Sequence, residues 1–327
     1  MRTTRLITAI VVLVLLTACA TPRIKLFTDA AEPLSEYTLE GRAPESVLLI
    51  SVQGTISDAP QKGLVRSSPS TVEQIASQLK KAEKDDRIKA VLFKVNSAGG
   101  TIMASDILYH EISSYRDRTG AKIIVSMMDV AASGAYYLSL PADLIMAHPT
   151  TITGSVGVIF LRPKVGGLMD KIGLGVDVTK FGKNKDMGSP FRDSTEEEKN
   201  IMQNVVNDFG ERFIRLVQKH RNLKEPAMGE IATARIFTAD EALKWGLIDK
   251  IGYLSDAVTE AKKLAGLAED ARVVVYRREK FPDDNYYNVA GAAWGNEHLP
   301  VINIALPDSF TLPAGFYYLW PGAIAAE

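Results

Sequence analysis

Cysteine, histidine and net charge are all scarce in this chain of 327 residues. Cys19 is the one cysteine, which excludes a disulfide framework within the chain and a zinc site built on paired cysteines. With only four histidines as well, we expect no metal or other cofactor. The formal net charge is −1, so no bulk charge indicates nucleic acid as a partner. The composition, 46% hydrophobic and 24% charged, is typical of a globular protein with one large domain plus extensions.

The N-terminal residues have the pattern of a secretory signal. Arg2 and Arg5 precede an apolar run over residues 6–16. This run is too short to cross a bilayer as a stable helix, which needs about 20 residues. The tetrapeptide LTAC at residues 16–19 resembles a bacterial lipobox, in which the signal peptidase cuts before the cysteine and the sulfur receives a diacylglycerol.

Cys19 is therefore expected to anchor the mature protein to a membrane of the bacterial cell envelope, with the body of the protein outside the cytoplasm. The predicted signal peptide is residues 1–18. Residues 19–45 contain several prolines and little periodicity, so they are predicted to form a tether. The alternative is an ordinary signal peptide cut after Ala18 or Ala20, with no lipid on the chain.

Beyond the tether, apolar runs rich in β-branched residues alternate with amphipathic segments. The predicted strands cover residues 47–52, 90–95, 122–128 and 144–146, and the predicted helices cover residues 71–84, 101–118 and 132–140. Continuous apolar strands that alternate with helices predict an α/β protein whose parallel sheet is covered on both faces. Functional sites in such sheets lie beyond the carboxyl ends of the strands.

Two turns rich in small residues follow predicted strands. The sequence SAGG occupies residues 97–100, and the sequence AASG occupies residues 131–134. Free N–H groups at a helix start favour negative charge, so the two turns could supply an oxyanion hole and a serine nucleophile. The spacing alone favours a simpler interpretation, in which Ser97 and Ser133 are N-caps and the glycines are turn residues.

A serine nucleophile also needs a base. Each of the four histidines has a setting more typical of a surface or hydrogen-bonded core residue: His110, His148, His220 and His298. A desolvated lysine can also act as the base.

One segment offers three candidate lysines. Lys180, Lys183 and Lys185 lie in a predicted loop before a long helix over residues 194–221. We expect that helix to begin with a capping box of Ser194 and Glu197. Residue types alone do not choose among the three lysines.

Four motifs in a fixed order carry a resemblance to a known family. They are VNSAGG (95–100), AASGAYYLSLPADLIMAHPTTITGSVGV (131–158), FGKNKDMGSPF (181–191) and ARIFTADEALKWGLIDKIGYLSDAV (234–258). Over residues 46–265 the chain closely resembles the signal peptide peptidase A family, peptidase family S49, of membrane-associated serine proteases. The resemblance implies a ClpP/crotonase-like fold with one peptidase domain over residues 46–268 and an irregular C-terminal extension over residues 269–327.

The resemblance also implies a Ser/Lys dyad. The family's A-S-G-G-Y-Y motif falls on residues 132–137, which assigns the nucleophile to Ser133. Its G-x-x-K motif assigns the general base to Lys185, and its T-G-S-x-G motif assigns to Ser155 the orientation of the lysine amine.

Backbone N–H groups around Gly99, Gly100 and Gly134 would then face the developing oxyanion. The chain departs from the family pattern at Ala98, where the family has proline, and at Ala135, where it has glycine. Alanine is well accepted within a helix, so we expect Ala135 to preserve the geometry of the nucleophile.

The implied function is that of a membrane-associated serine endopeptidase acting on remnant signal peptides and other extended or membrane-derived peptides. Since the chain contains one copy of the domain, the resemblance further implies a ring-shaped homo-oligomer in which neighbouring subunits supply the serine and the lysine of one site. A catalytically inactive lipoprotein scaffold is one alternative. Another is an acyl-CoA hydratase or isomerase, which the secretory signal disfavours because CoA is cytoplasmic.

Overall fold

The computed structural model describes residues 33–62, 67–281, 283–288 and 314–322. The predicted signal peptide and Cys19 lie outside the described residues. The strands are β1 (Ser35–Glu40), β2 (Ala43–Gln53), β3 (Gln61–Lys62), β4 (Ser67–Ser68), β5 (Ile88–Ser97), β6 (Gly99–Thr101), β7 (Lys122–Ala132), β8 (Leu144–Ala147), β9 (Ile152–Gly154), β10 (Ile159–Leu161), β11 (Ile236–Thr238), β12 (Lys250–Ile251), β13 (Ala271–Arg277) and β14 (Gly315–Leu319). The helices are α1 (Thr71–Ala82), α2 (Ile102–Thr119), α3 (Gly134–Ser139), α4 (Gly166–Ile172), α5 (Glu196–Arg221), α6 (Ala227–Ala232), α7 (Ala239–Lys244) and α8 (Leu254–Leu264).

The main sheet is dominated by parallel pairing. Its strand order is β1-β13-β2-β5-β7-β8-β12, with β9 paired to β7 and β11 paired to β9. Every neighbouring pair along the path from β13 to β12 is parallel, whereas β1 and β11 pair antiparallel at the edges. The α/β class with a parallel sheet flanked by helices, which the sequence predicts, is confirmed.

Both faces of the sheet are apolar because successive side chains along a strand point to opposite sides. On β5, Phe93 and its neighbours of the same face belong to the core under α1 and α2, and Leu92 belongs to the core on the opposite face under α8. All central positions of β5 are therefore buried, which explains the unbroken apolar run in the sequence.

Strand register brings the two candidate turns together. Ser97 at the end of β5 pairs with Ala131 near the end of β7. Beyond that pair, β7 exchanges its partner β8 for β9, and Ala132 pairs with Gly154. The segments before Gly99 and before Ser133 consequently leave the sheet side by side.

The sheet extends beyond the bounds that the sequence predicts for the peptidase domain. Residues 35–45, assigned to the tether, form β1 and the start of β2, and β13 and β14 lie in the predicted C-terminal extension. Strand β13 pairs with β1 on one side and with β2 on the other. Polar residues and proline give this segment no local strand pattern. The pairing partner of β1 is more than two hundred residues away, so the sequence nearby does not indicate the strand.

The capping box of α5 lies one residue later than predicted. Thr195, not Ser194, is the N-cap; its hydroxyl accepts a hydrogen bond from the Glu198 amide at 3.2 Å, and the Glu198 carboxylate accepts one from the Thr195 amide at 2.9 Å. Within the described part of the chain, no helix has the length and apolar character that crossing a membrane requires.

One ammonium group is buried in the sheet. Lys94 on β5 is 3% exposed, and its Nζ donates hydrogen bonds to the carbonyl oxygens of Tyr286 at 2.8 Å and Asn288 at 3.2 Å. These bonds hold the segment after β13 against the sheet face. Burial lowers the pKa of Lys94 to about 8.

We expect Lys94 to make the free energy of unfolding depend on pH. Its folded-state pKa is depressed, so between that pKa and about 10.4 the unfolded chain binds more protons and stability rises with pH. From about pH 7 to about pH 10, wild type should gain about 2 kcal/mol relative to Lys94→Met, measured by urea unfolding at each pH. Parallel curves for the two proteins would contradict this prediction.

Candidate active site

Ser133 lies at the N-terminus of α3 in an unusual backbone conformation. Its φ is 53° and its ψ is −116°, a region that non-glycine residues rarely adopt. Although it holds the N-cap position, its side chain makes no capping hydrogen bond. Its Oγ is buried and has no hydrogen-bond partner in the part of the chain that the structure describes, and the residue is 1% exposed. The interpretation of Ser133 as a side-chain N-cap is therefore wrong. Its hydroxyl is not used in capping the helix.

Tyrosine side chains fix helix α3. The Tyr136 hydroxyl donates to the carbonyl of Leu247 at 2.7 Å, and the Tyr137 hydroxyl donates to Asp106 Oδ1 at 2.6 Å. Arg212 on α5 binds the same carboxylate oxygen at 2.6 Å. Burial, together with the Asp106 carboxylate, raises the pKa of Tyr137, so its hydroxyl remains a donor. These contacts hold the helix, and with it Ser133, in one position.

Glycines allow three backbones to meet beside Ser133. Gly99 has φ +107°, and a Cβ there would lie 2.1 Å from the Tyr318 carbonyl oxygen and 2.8 Å from the Gly134 nitrogen. A Cβ at Gly100 would lie 1.9 Å from the Ile56 carbonyl oxygen. No side chain fits at these positions, so β6, the start of α3 and β14 pack backbone against backbone.

The serine of the first turn has a structural role. The Ser97 hydroxyl donates to the Gly54 carbonyl at 2.6 Å and accepts from the Gly99 amide at 3.1 Å. It does not cap α2, since Thr101 is the N-cap and accepts from the Ala104 amide at 3.2 Å. The Gly99 amide is thus already paired within the turn.

Ser155 lies next to the segment that binds Ser133. The Ser133 amide donates to the Gly154 carbonyl at 2.8 Å, and Gly154 and Ser155 both have positive φ, 88° and 51°. The Ser155 amide donates to the Arg235 carbonyl at 2.9 Å, which holds this turn against β11. The structure therefore gathers Ser133, Ser155 and the predicted oxyanion glycines at one edge of the sheet.

Lys185 is not part of this cluster within the described chain. It is exposed in the loop between α4 and α5, and no hydrogen bond in the described structure joins it to Ser133 or Ser155. Lys180 forms an ion pair with Asp186, and Lys183 forms one with Glu197. Of the three candidate lysines, Lys185 alone has no ion pair among the described side chains.

The base of the Lys185 loop is held by charged groups. Arg192 binds Asp186 at 2.8 Å and Glu198 at 2.5 Å. The Glu198 side chain is 3% exposed and also serves the α5 capping box, and its hydrogen bonds to Arg192 hold its pKa at about 2. These contacts hold the C-terminal end of the loop at the start of α5.

None of the described histidines hydrogen-bonds to the Ser133 hydroxyl, which has no hydrogen-bond partner among the described residues. His148 contacts Thr150 at 2.9 Å, and His220 contacts the Tyr109 hydroxyl at 2.8 Å. His110 contacts Ser114 at 3.4 Å, and His298 lies outside the described residues.

Sequence reasoning missed β14 as a part of this region. Tyr318 is fully buried, and its ring stacks on Tyr137 with 5.0 Å between the ring centroids. The aromatic run GFYYLW at residues 315–320 indicates a buried segment, but the sequence does not indicate which surface that segment covers.

The strain at Ser133 can be measured. Ser133→Gly and Ser133→Ala both remove the hydroxyl, but only glycine adopts this backbone conformation without a steric cost. We expect Ser133→Gly to be more stable than Ser133→Ala by about 1 kcal/mol in thermal or urea unfolding, against the usual preference for alanine. A more stable alanine variant would show that the position is unstrained.

Comparisons with known proteins identify the family. The family model described as Peptidase family S49 matches residues 116–268. The chain is 35% identical over 255 residues to a candidate signal peptide peptidase SppA of Enterococcus faecium, covering 78% of this chain and 74% of that protein. It is 32% identical over 262 residues to Protease 4 of Haemophilus influenzae, covering 79% of this chain but only 41% of that protein.

A solved structure of the 1510-N membrane-bound stomatin-specific protease overlaps 66% of this chain and 84% of its own, with a TM-score of 0.40 and 18% sequence identity. The family assignment depends on the sequence matches, above all on the Enterococcus faecium protein, three quarters of which is spanned. The chain therefore belongs to peptidase family S49, a family of serine peptidases.

Proposed function

We propose that the protein is a membrane-anchored serine endopeptidase that uses Ser133 and Lys185 as a catalytic dyad. The observation that carries this proposal is Ser133 itself, whose backbone is strained and whose buried hydroxyl has no hydrogen-bond partner among the described residues, beside Gly99, Gly100 and Gly134. Such a hydroxyl can attack a carbonyl without first breaking a hydrogen bond to the protein. Membership of family S49 supports the same chemistry.

The proposed reaction is hydrolysis of a peptide bond through an acyl group on Ser133. Ser133 Oγ attacks the carbonyl carbon of the scissile peptide bond while the Lys185 amine takes its proton, and Ser155 orients that amine. Amide N–H groups at the start of α3, including that of Gly134, stabilise the oxyanion. The lysine then gives the proton to the leaving amine, and water releases the acyl group from Ser133.

The lysine of each site comes from a neighbouring subunit of a ring. Support comes from the exposure of Lys185 and from the apolar surface around its loop, where Phe181 is 98% exposed. The same segment exposes six more large apolar side chains: Leu168, Ile172, Leu174, Val176, Val178 and Phe191. An apolar face of this extent favours burial against another subunit.

A groove on the same chain offers a matching surface. It runs next to Ser155, and its apolar lining includes Val156, Val158, Val206 and Ile214. A neighbouring subunit whose apolar loop lies in this groove would bring Lys185 close to Ser155.

The substrates are remnant signal peptides and other extended or membrane-derived peptides, in keeping with the name of the Enterococcus faecium relative. The lipobox supports an acylated Cys19 that holds the protein on a membrane of the cell envelope, outside the cytoplasm. A closed ring on that surface would admit unfolded chains and exclude folded proteins.

The dyad predicts a specific pattern of inactive variants. Ser133→Ala and Lys185→Arg should each lose nearly all peptidase activity, since a guanidinium with a pKa above about 12 does not accept the serine proton. Lys183→Arg is the matched control, because it keeps the charge and the ion pair with Glu197, and it should remain active. Turnover of a fluorogenic peptide measures all three. An active Lys185→Arg or an inactive Lys183→Arg would reject Lys185 as the base.

The shared site predicts complementation between two inactive variants. Co-expressed Ser133→Ala and Lys185→Ala chains should form mixed rings in which some interfaces pair an intact serine with an intact lysine. Peptidase activity should then return in part, up to about a quarter of the wild-type level for random mixing. Mixed rings that are isolated by two affinity tags and show no activity would place both residues of a site in one chain.

A further inference from the structure

Arg192 binds two carboxylates that come from different segments of the chain. On one side, its Nε and Nη2 donate to the Asp186 carboxylate at 2.9 Å and 2.8 Å. On the other side, its Nη1 and Nη2 donate to the Glu198 carboxylate at 2.9 Å and 2.5 Å. Both contacts are bidentate, so the planar guanidinium fixes the direction of each partner as well as its distance. Arg192 therefore links the loop between α4 and α5 to the first turn of α5.

The link is anchored on the α5 side. The Glu198 side chain is 3% exposed, and its carboxylate also accepts the hydrogen bond from the Thr195 amide that closes the capping box. Helix α5 has 26 residues and buries Phe213 and Val217 in the core. The Arg192 guanidinium is consequently held by a helix that packs on the body of the protein.

On the loop side, the link ends one residue from the proposed base. Asp186 follows Lys185 directly, and the Cα atoms of successive residues are about 3.8 Å apart. The surrounding backbone forms hydrogen-bonded turns: the Lys185 amide donates to the Gly182 carbonyl at 3.2 Å, and the Ser189 amide donates to the Asp186 carbonyl at 3.0 Å. The backbone of Lys185 is therefore fixed, whereas its side chain is exposed.

The charges of the link suit a neighbouring base. Hydrogen bonds from Arg192 and Lys180 hold the pKa of Asp186 well below its usual range, so this carboxylate stays ionised and bound near neutral pH. The same bonds occupy the carboxylate that is nearest to Lys185 in the chain. Without these partners it could pair with the Lys185 ammonium and hold it in the protonated form, which does not act as a base.

We propose that Arg192 and Asp186 are positioning residues for the Lys185 amine. The inference rests on the proposed function, because it takes Lys185 as the base of a site shared between subunits. In a shared site the link acts across the subunit interface, on a serine that belongs to the neighbouring chain. An exposed loop can then bring its lysine to that serine with the backbone already ordered. Such order matters, since a displacement of about 1 Å can cost about a hundredfold in rate.

Two substitutions cut the link at different points. Arg192→Met removes both bidentate contacts, whereas Asp186→Ala removes only the loop contact and leaves Glu198 bound to Arg192 and to the α5 cap. Each should lower kcat for a fluorogenic peptide about tenfold or more, in rings of unchanged size. KM should stay within about twofold of wild type, because the link acts on the base and not on the bound peptide. Asp186→Asn keeps an oxygen acceptor for Arg192 and should lose less activity than Asp186→Ala.

Arg118→Met is the matched control. Arg118 also binds a carboxylate through two hydrogen bonds, that of Glu83 at the end of α1, but it lies outside the loop. Its kcat should equal that of wild type. A wild-type kcat in Asp186→Ala would overturn the inference.

Mixed rings separate the positioning of the base from a general structural role. In the pair of Ser133→Ala and Lys185→Ala chains, the Ser133→Ala chain supplies the lysine. Asp186→Ala added to this chain should reduce the restored activity about tenfold or more. The same substitution in the Lys185→Ala chain should have no effect, because that chain has no lysine to position. Equal losses in the two placements would overturn the inference, since damage to the fold acts in either chain.

Hydrogen exchange separates this inference from the proposed function. Amide exchange over residues 182–189 should be about tenfold or more faster in Asp186→Ala than in wild type, while exchange over the middle of α5 should not change. Such a difference in a protein that cleaves no peptide would support the link and reject the peptidase proposal. Equal exchange of the loop in the two proteins would overturn the inference, whatever their activity.

Discussion

The close approach of three backbones at Gly99, Gly100 and Gly134 is the constraint on which the site depends. Each of these positions faces a backbone atom of another segment at less than 3 Å from where a Cβ would lie. The backbones of the turn after β5, of the start of α3 and of β14 therefore pack directly against one another. The parallel register of β5 and β7 makes this possible, because it ends both strands at the same edge.

Rigidity around Ser133 comes from hydrogen bonds that cross between helices. The Asp106 carboxylate on α2 accepts from Tyr137 on α3 and from Arg212 on α5. Three helices therefore meet at this one acceptor. A strained residue persists only where its surroundings determine its conformation, and this network supplies that determination for Ser133.

The sequence predicts the sheet better than the site because apolar runs are local and site geometry is not. The run around Leu92 and Phe93 indicates a doubly covered strand by itself. The Ser133 amide, by contrast, donates to the carbonyl of Gly154 on another strand, a partner that no neighbouring residue in the sequence reveals. Spacing alone favoured a cap at Ser133, and only the resemblance to a family indicated a nucleophile.

Two further differences have the same origin. The sequence STEEE allows a capping box at Ser194 or at Thr195, and Arg192, which binds Glu198, selects the later register. Strand β14 has a clear aromatic composition, but its place beside β6 is set by Tyr318 and the shape of its pocket. Such choices between equivalent local patterns are made by tertiary contacts.

Lys94 shows how the segment after β13 is recognised. Its ammonium binds the backbone carbonyls of Tyr286 and Asn288. Every residue type has a backbone carbonyl, so the contact depends on the position of the backbone and not on the side chains. Substitutions at residues 286 and 288 can therefore keep both bonds. An insertion or deletion of one residue would shift the carbonyl groups and break them. Along this stretch, insertions and deletions are more disruptive than replacements.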